Sequence, residues 1–114
     1  MSYEVRLLDP GTRNPVEVPR HKEGGMIALE GLTSAHFSVT YNYSDVYRIV
    51  DFTVRALDGL KASETIPVLK AIVGRLGTLE HDDYWAPTPG NAGHAMAVCL
   101  AWAEAHPDAT WSVT

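Results

Sequence analysis

Apolar and polar residues alternate at the start of the chain, with Tyr3, Val5 and Leu7 set against Glu4 and Arg6. Period two predicts a half-buried strand, and Asp9-Pro10-Gly11 supplies the turn that ends it. Val16 and Val18 flank Glu17 between two prolines, which predicts a short edge strand, where a missing N–H breaks no ladder. Glu23-Gly24-Gly25 reads as a tight turn before a short central strand, Met26-Ile27-Ala28-Leu29, closed by Gly31. The clearest strand runs from Ala35 to Asn42. Its core face is Ala35, Phe37, Val39 and Tyr41, and its polar face is His36, Ser38, Thr40 and Asn42.

At Ser44 the period changes. Ser44 as N-cap, Asp45 in the first turn, and Val46, Ile49, Val50 and Leu57 at helical spacing predict one helix that ends at Gly59. Ser63 is the expected cap of a second helix, with Glu64 and Pro67 early in it and Ile66, Leu69, Val73 and Leu76 facing the core; Gly77 is its expected left-handed end. An irregular stretch from Thr78 to Pro87 follows, acidic at Glu80, Asp82 and Asp83 and aromatic at Tyr84 and Trp85. Thr88 as N-cap and Pro89 at the first helical position open a third helix, whose inward stripe is Ala92, Ala95, Met96, Cys99, Trp102 and Ala103 and which ends before Pro107.

These elements predict an α+β fold: an N-terminal antiparallel sheet of three to four strands, then three helices packed on it. The 114 residues suit a single domain with one hydrophobic core, and no repeat or linker divides them. A net charge of −5 and no cluster of Lys and Arg argue against direct nucleic-acid binding, since that affinity comes largely from counterion release. The single cysteine, Cys99, excludes an intramolecular disulfide and thiolate zinc sites, and its place on the inward stripe predicts an inert buried thiol. The first residues lack a signal-peptide pattern and no apolar run is long enough for a membrane span, which together with the lone thiol predicts a cytoplasmic protein. Short edge strands leave room for a homo-oligomer.

Three places carry candidate chemistry. At Thr88-Pro89-Gly90-Asn91 a helix start offers backbone N–H groups to a phosphate or carboxylate, with Gly90 leaving space and Asn91 adding an amide; the alternative is a well-made cap and nothing more. In Tyr41-Asn42-Tyr43-Ser44, strand alternation sets Tyr41 and Tyr43 on one side, where two phenols suit a flat ring; alternatively they close the core and Ser44 caps a helix. Glu80-His81-Asp82-Asp83-Tyr84-Trp85 invites a metal through carboxylate and imidazole ligands, with His94 or His36 at a distance. It meets no recognised ligand spacing, and a solvated acidic loop anchored by Trp85 is the favoured explanation. His94 points either to a site or to a satisfied structural role, and His106 reads as a contact with the helix dipole. No nucleophile elbow or other catalytic signature is present, and no cofactor or metal is implied.

In order along the chain, Glu23-Gly24-Gly25, Tyr41-Asn42-Tyr43-Ser44, Ile66-Pro67, Asp82-Asp83-Tyr84-Trp85, Thr88-Pro89-Gly90-Asn91-Ala92 and His106-Pro107-Asp108-Ala109-Thr110-Trp111 resemble short accessory proteins of phages and prophages. The resemblance implies a small protein acting in the host cytoplasm, and it carries over no catalytic residue. Such proteins often bind something of the host's. Three functions are therefore expected. In the first, the protein binds and sequesters a small anionic or nucleotide-like host ligand, with Tyr41, Tyr43, Tyr84 and Trp85 around the base and Thr88, Gly90, Asn91 and His94 at the phosphate. In the second, it is an interaction module or inhibitor that meets a host protein through the acidic face of Glu80, Asp82 and Asp83. In the third, it is a phosphate-ester hydrolase using His94 with Asp83.

Overall fold

The protein is described by a computed structural model at residues 1–19, 26–28 and 33–114, with the backbone alone at 26–28. The turn expected at Glu23-Gly24-Gly25, and Leu29 and Gly31, lie outside the described residues. Among those described, four strands and three α-helices follow in the order β1 (Ser2–Leu8), β2 (Met26–Ala28), β3 (His36–Thr40), α1 (Ser44–Ile49), α2 (Ala62–Leu76), α3 (Pro89–Ala105) and β4 (Thr110–Val113). The fold is α+β. The sheet is antiparallel throughout, in the order β2-β3-β1-β4.

The strands are not all N-terminal. The tail beyond Pro107 returns to the sheet as β4, pairing Leu7 with Trp111 and Val5 with Val113 on the free side of β1. Val5 also pairs with Phe37, so β1 is central and its Val5 and Leu7 are fully buried. Trp102 of α3 stands edge-on to Phe37, with ring centroids 4.8 Å apart, and joins helix to sheet. Trp111 joins the sheet to α2, because its indole N–H donates to Thr65 Oγ1 at 2.9 Å and so is satisfied inside the core. The outer edge of β4 is closed by the chain itself: Trp111 N donates to Leu60 O, Gly59 N to Trp111 O, and Val113 N to Asp58 Oδ1. A strand edge covered in this way offers no ladder to another chain.

Several sequence expectations are corrected. Val16 and Val18 are buried, but isolated bridges from Pro15 to Leu8 and Glu17 to Ser34 hold their segment, which forms no strand. The β3 strand stops at Thr40, and its expected polar face is buried at His36, Ser38 and Thr40, with the longer Arg6 and Glu4 opposite His36 and Ser38. A 3-10 turn at Tyr41–Tyr43 runs straight into α1. Thr40, not Ser44, supplies the capping oxygen, which accepts from Asn42 N at 3.2 Å.

The helix expected from Ser44 to Gly59 breaks after Ile49, which is 78% exposed. Asp51 takes a left-handed φ of 57°, and a second 3-10 turn at Val54–Leu57 then delivers Val54 and Leu57 to the core. The segment is rich in β-branched residues at Val46, Ile49, Val50, Thr53 and Val54, which lose rotamer freedom in a helix. Helix α2 begins at Ala62 without a side-chain cap, so Ser63 lies inside it, and Pro67 sits beyond the first turn, where the Ser63 carbonyl lacks its usual helical donor. Its deepest residues are Ala62, Thr65, Leu69 and Ile72, while Ile66, Val73 and Leu76 are half-buried beside them. Helix α3 has the bounds, the Thr88 cap and the inward stripe expected of it. Burial pushes the Cys99 thiol far above its ordinary range. No described helix is long and apolar enough to cross a membrane.

The terminal strand is thus part of the core. Trp111→Ala is expected to lower unfolding free energy by about 3–5 kcal/mol in urea titrations, the range for emptying a buried tryptophan. Trp85→Ala, at a half-exposed ring, is expected to change it far less.

Candidate functional site

The residues singled out from sequence meet around the loop between α2 and α3. Helix α2 ends at Gly77, whose φ of 73° and ψ of −174° belong to a region open essentially to glycine, and Gly77 N donates to Val73 O at 2.8 Å. The chain then passes so close over the first turn of α3 that a Cβ on Gly90 would run into the Leu79 carbonyl, and one on Gly93 into the Gly77 carbonyl. Backbone contact explains both glycines.

Asn91 is fully buried and all of its side chain is engaged with this loop. Its Oδ1 accepts from His81 N at 2.9 Å, and its Nδ2 donates to Asp83 O at 3.1 Å and to Ala86 O at 3.0 Å. Its backbone N–H donates to Thr88 Oγ1 at 3.2 Å. From the opposite side, the Tyr43 hydroxyl donates to Tyr84 O, and Asn42 Nδ2 donates to Trp85 O at 3.0 Å. Four successive carbonyls, from Asp83 to Ala86, therefore each accept from a side chain of the 3-10 turn or of α3. Within the loop, Asp83 N donates to His81 Nδ1 at 2.9 Å and Trp85 N to Asp83 Oδ1 at 3.0 Å. Burial, helped by the nearby carboxylates of Asp83 and Glu80, holds the Tyr43 phenol far above its usual range, so it remains a donor at every physiological pH.

No family model, curated protein or solved structure matches this chain.

Thr88 caps α3 as expected, but Gly90 and Asn91 have a different task from anion binding, because the loop backbone fills the helix start that the motif was expected to leave open. Tyr41 and Tyr43 do not form a shared aromatic face. The 3-10 turn replaces strand alternation there, burying Tyr43 and sending Tyr41 to Tyr3, with centroids 4.6 Å apart at 64°. Tyr84 and Trp85 pack on each other at 5.0 Å and stay 42% and 41% exposed; Leu79, at the start of the loop, is 88% exposed. His94 faces Glu80, with Nδ1 to Oε1 at 3.1 Å, in place of the expected partner Asp83, whose carboxylate holds Trp85 N. The His106 ring bonds the Glu17 carbonyl at 2.7 Å. Among the described residues, no group of three or more His, Cys, Asp or Glu side chains is arranged to hold a metal ion.

Sequence reasoning named Asn42 and His81 but not their roles: alternation assigned Asn42 to the far face of a strand, and His81 was weighed as a metal ligand, whereas its ring accepts a loop N–H. It also missed a cleft of about 560 Å³ beside the break after α1, lined in part by Tyr3, Arg48, Asp51, Phe52 and Val68. No local pattern marks that cleft, because its walls come from β1, α1, the following turn and α2.

If the clamp sets the loop, Tyr43→Phe is expected to destabilise the protein by about 1–2 kcal/mol, the usual loss for a buried hydrogen bond. Gly90→Ala forces the loop away from α3 and is expected to lose about 1–3 kcal/mol or more. Urea unfolding of both variants, with amide hydrogen exchange at residues 79–86 to follow the loop, checks this.

Proposed function

We propose that this protein is an interaction module that docks a partner protein through the loop between α2 and α3. One observation supports the reading best. Side chains of the 3-10 turn and of α3, among them the buried Tyr43 and Asn91, hold four consecutive loop carbonyls, yet the side chains the loop carries, Leu79, Tyr84 and Trp85, remain exposed. Tyrosine and tryptophan dominate binding energy at protein interfaces, and a loop already fixed in shape loses little entropy on docking.

Charge selects the kind of partner. Glu80, Asp82 and Asp83 share the loop with these rings, in a chain of net charge −5. Phosphate surfaces, whether nucleic acid or anionic lipid, are repelled, as is a second copy of the same chain. A protein surface carrying Lys or Arg satisfies both the carboxylates and the aromatic faces. In the setting suggested by the resemblance to phage and prophage proteins, that partner belongs to the host. The smaller role of the acidic residues is to steer encounter, and the rings supply most of the affinity.

The test compares the wild type with Trp85→Ser and with Leu79→Ser as affinity baits, followed by calorimetry on the captured, purified partner. Trp85→Ser is expected to weaken binding by about 30-fold or more, the effect of removing an interface hot spot. Raising salt is expected to slow association through screening. Equal capture by wild type and both variants would reject this reading.

A further inference from the structure

The cleft next to α1 lies apart from the docking loop and has the features of a small-molecule site. Its volume of about 560 Å³ falls within the range of roughly 300–1,000 Å³ common for such sites. The chain makes it by interrupting a helix: α1 stops at Ile49, Asp51 adopts a φ of 57°, and the following residues turn back so that Phe52 N donates to Tyr47 O at 2.9 Å. The rings of Tyr3 and Phe52 and the aliphatic side chains of Leu60 and Val68 give the lining an apolar body, and Arg48 and Asp51 give it charge.

Two guanidinium groups and two carboxylates, those of Asp45 and Asp51, stand in or beside the cleft. Arg48 lines the cleft, and the Arg55 guanidinium sits over the Tyr3 ring, 5.6 Å from its centroid. In a chain of net charge −5, these four charges balance one another at the cleft. Arg48 is held by Asp45 at 2.9 Å, but both side chains are more than three-quarters exposed, so solvent keeps the pair weak and Arg48 exchanges it readily for another anion.

We propose that the cleft binds a planar aromatic molecule bearing one anionic group, with its ring against Tyr3 and Phe52 and its anion at Arg48. Nucleoside monophosphates and aryl sulfonates or carboxylates share this chemistry. A neutral apolar ligand would leave the guanidinium unused.

The test titrates the intact protein with 8-anilinonaphthalene-1-sulfonate, with its uncharged relative N-phenyl-1-naphthylamine, and with adenosine monophosphate against adenosine, following probe fluorescence and amide shifts. One-to-one binding is expected, with each anion about tenfold tighter than its neutral partner, the difference one charged hydrogen bond makes. Arg48→Ala, at an exposed side chain, is expected to abolish that difference. Val68→Trp, which fills the cleft from the half-exposed face of α2, is expected to abolish binding while the thermal melt stays cooperative. Preference for the sulfonate alone assigns the cleft to non-nucleotide anions, and preference in both pairs admits nucleotides. Equal affinity for charged and neutral probes, or binding indifferent to Val68→Trp, would overturn the proposal. Trp85→Ser is expected to leave these titrations unchanged, which separates this site from the docking loop.

Discussion

An irregular loop has no ladder to satisfy its backbone, and a carbonyl that is neither bonded nor hydrated is expensive wherever the chain packs closely. The segment between α2 and α3 meets this constraint by borrowing donors. Asn91, from the first turn of α3, takes the carbonyls of Asp83 and Ala86; Tyr43 and Asn42, from the turn after β3, take those of Tyr84 and Trp85. Two further conditions follow. Helix α3 must start where Thr88 and Pro89 set it, so that Asn91 faces the loop, and residues 90 and 93 must be glycine, so that the chain passes close enough for Asn91 to reach. The motifs Tyr-Asn-Tyr and Thr-Pro-Gly-Asn-Ala-Gly are thus one device, split across more than forty residues of sequence.

That division explains what could be read in the sequence and what could not. The start of helix α3 was legible to the residue, because its cap, its proline and its inward stripe are local signals that agree with one another. The α+β class was legible for the same reason. The long helix after Ser44 was not, since a stripe of apolar residues at helical spacing is compatible with the short α1, a left-handed Asp51 and a 3-10 turn once the core draws Val54 and Leu57 inward. The pattern of Ala109, Trp111 and Val113 has period two and marks β4, but four residues at a chain end give too short a run to separate strand from tail. Pro67 shows the opposite case, where tertiary packing retains a helix through a residue that propensity disfavours.

At the site, residue choice was legible and residue role was not. Gly90 and Asn91 carry the composition of an anion-binding helix start, and what decides between anion and loop is a carbonyl eleven residues away, at Leu79. Sequence spacing has no access to that. Tyr43 likewise reads as an aromatic platform until the 3-10 turn buries its ring and leaves only its hydroxyl at work. In both cases a polar atom that looked available to a ligand turns out to satisfy backbone, which is the commonest destination of side-chain hydrogen bonds in proteins.

The same clamp sets the energetics of any docking event. Ordering a free loop of this length would consume much of the affinity that two aromatic side chains supply, since each residue fixed loses on the order of 1–2 kcal/mol of conformational entropy. Here folding has already fixed the backbone, and the bonds that do so are anchored in the core through Asn91, fully buried, and Tyr43, equally so. The protein buries its other two tryptophans, Trp102 and Trp111, where they link sheet to helices, and keeps the third outside on an irregular segment whose carbonyls from Asp83 to Ala86 accept from side chains of the 3-10 turn and α3. Rigidity under the rings and exposure of the rings are therefore consequences of a single arrangement. Loosening the clamp would weaken the surface even with every exposed side chain intact.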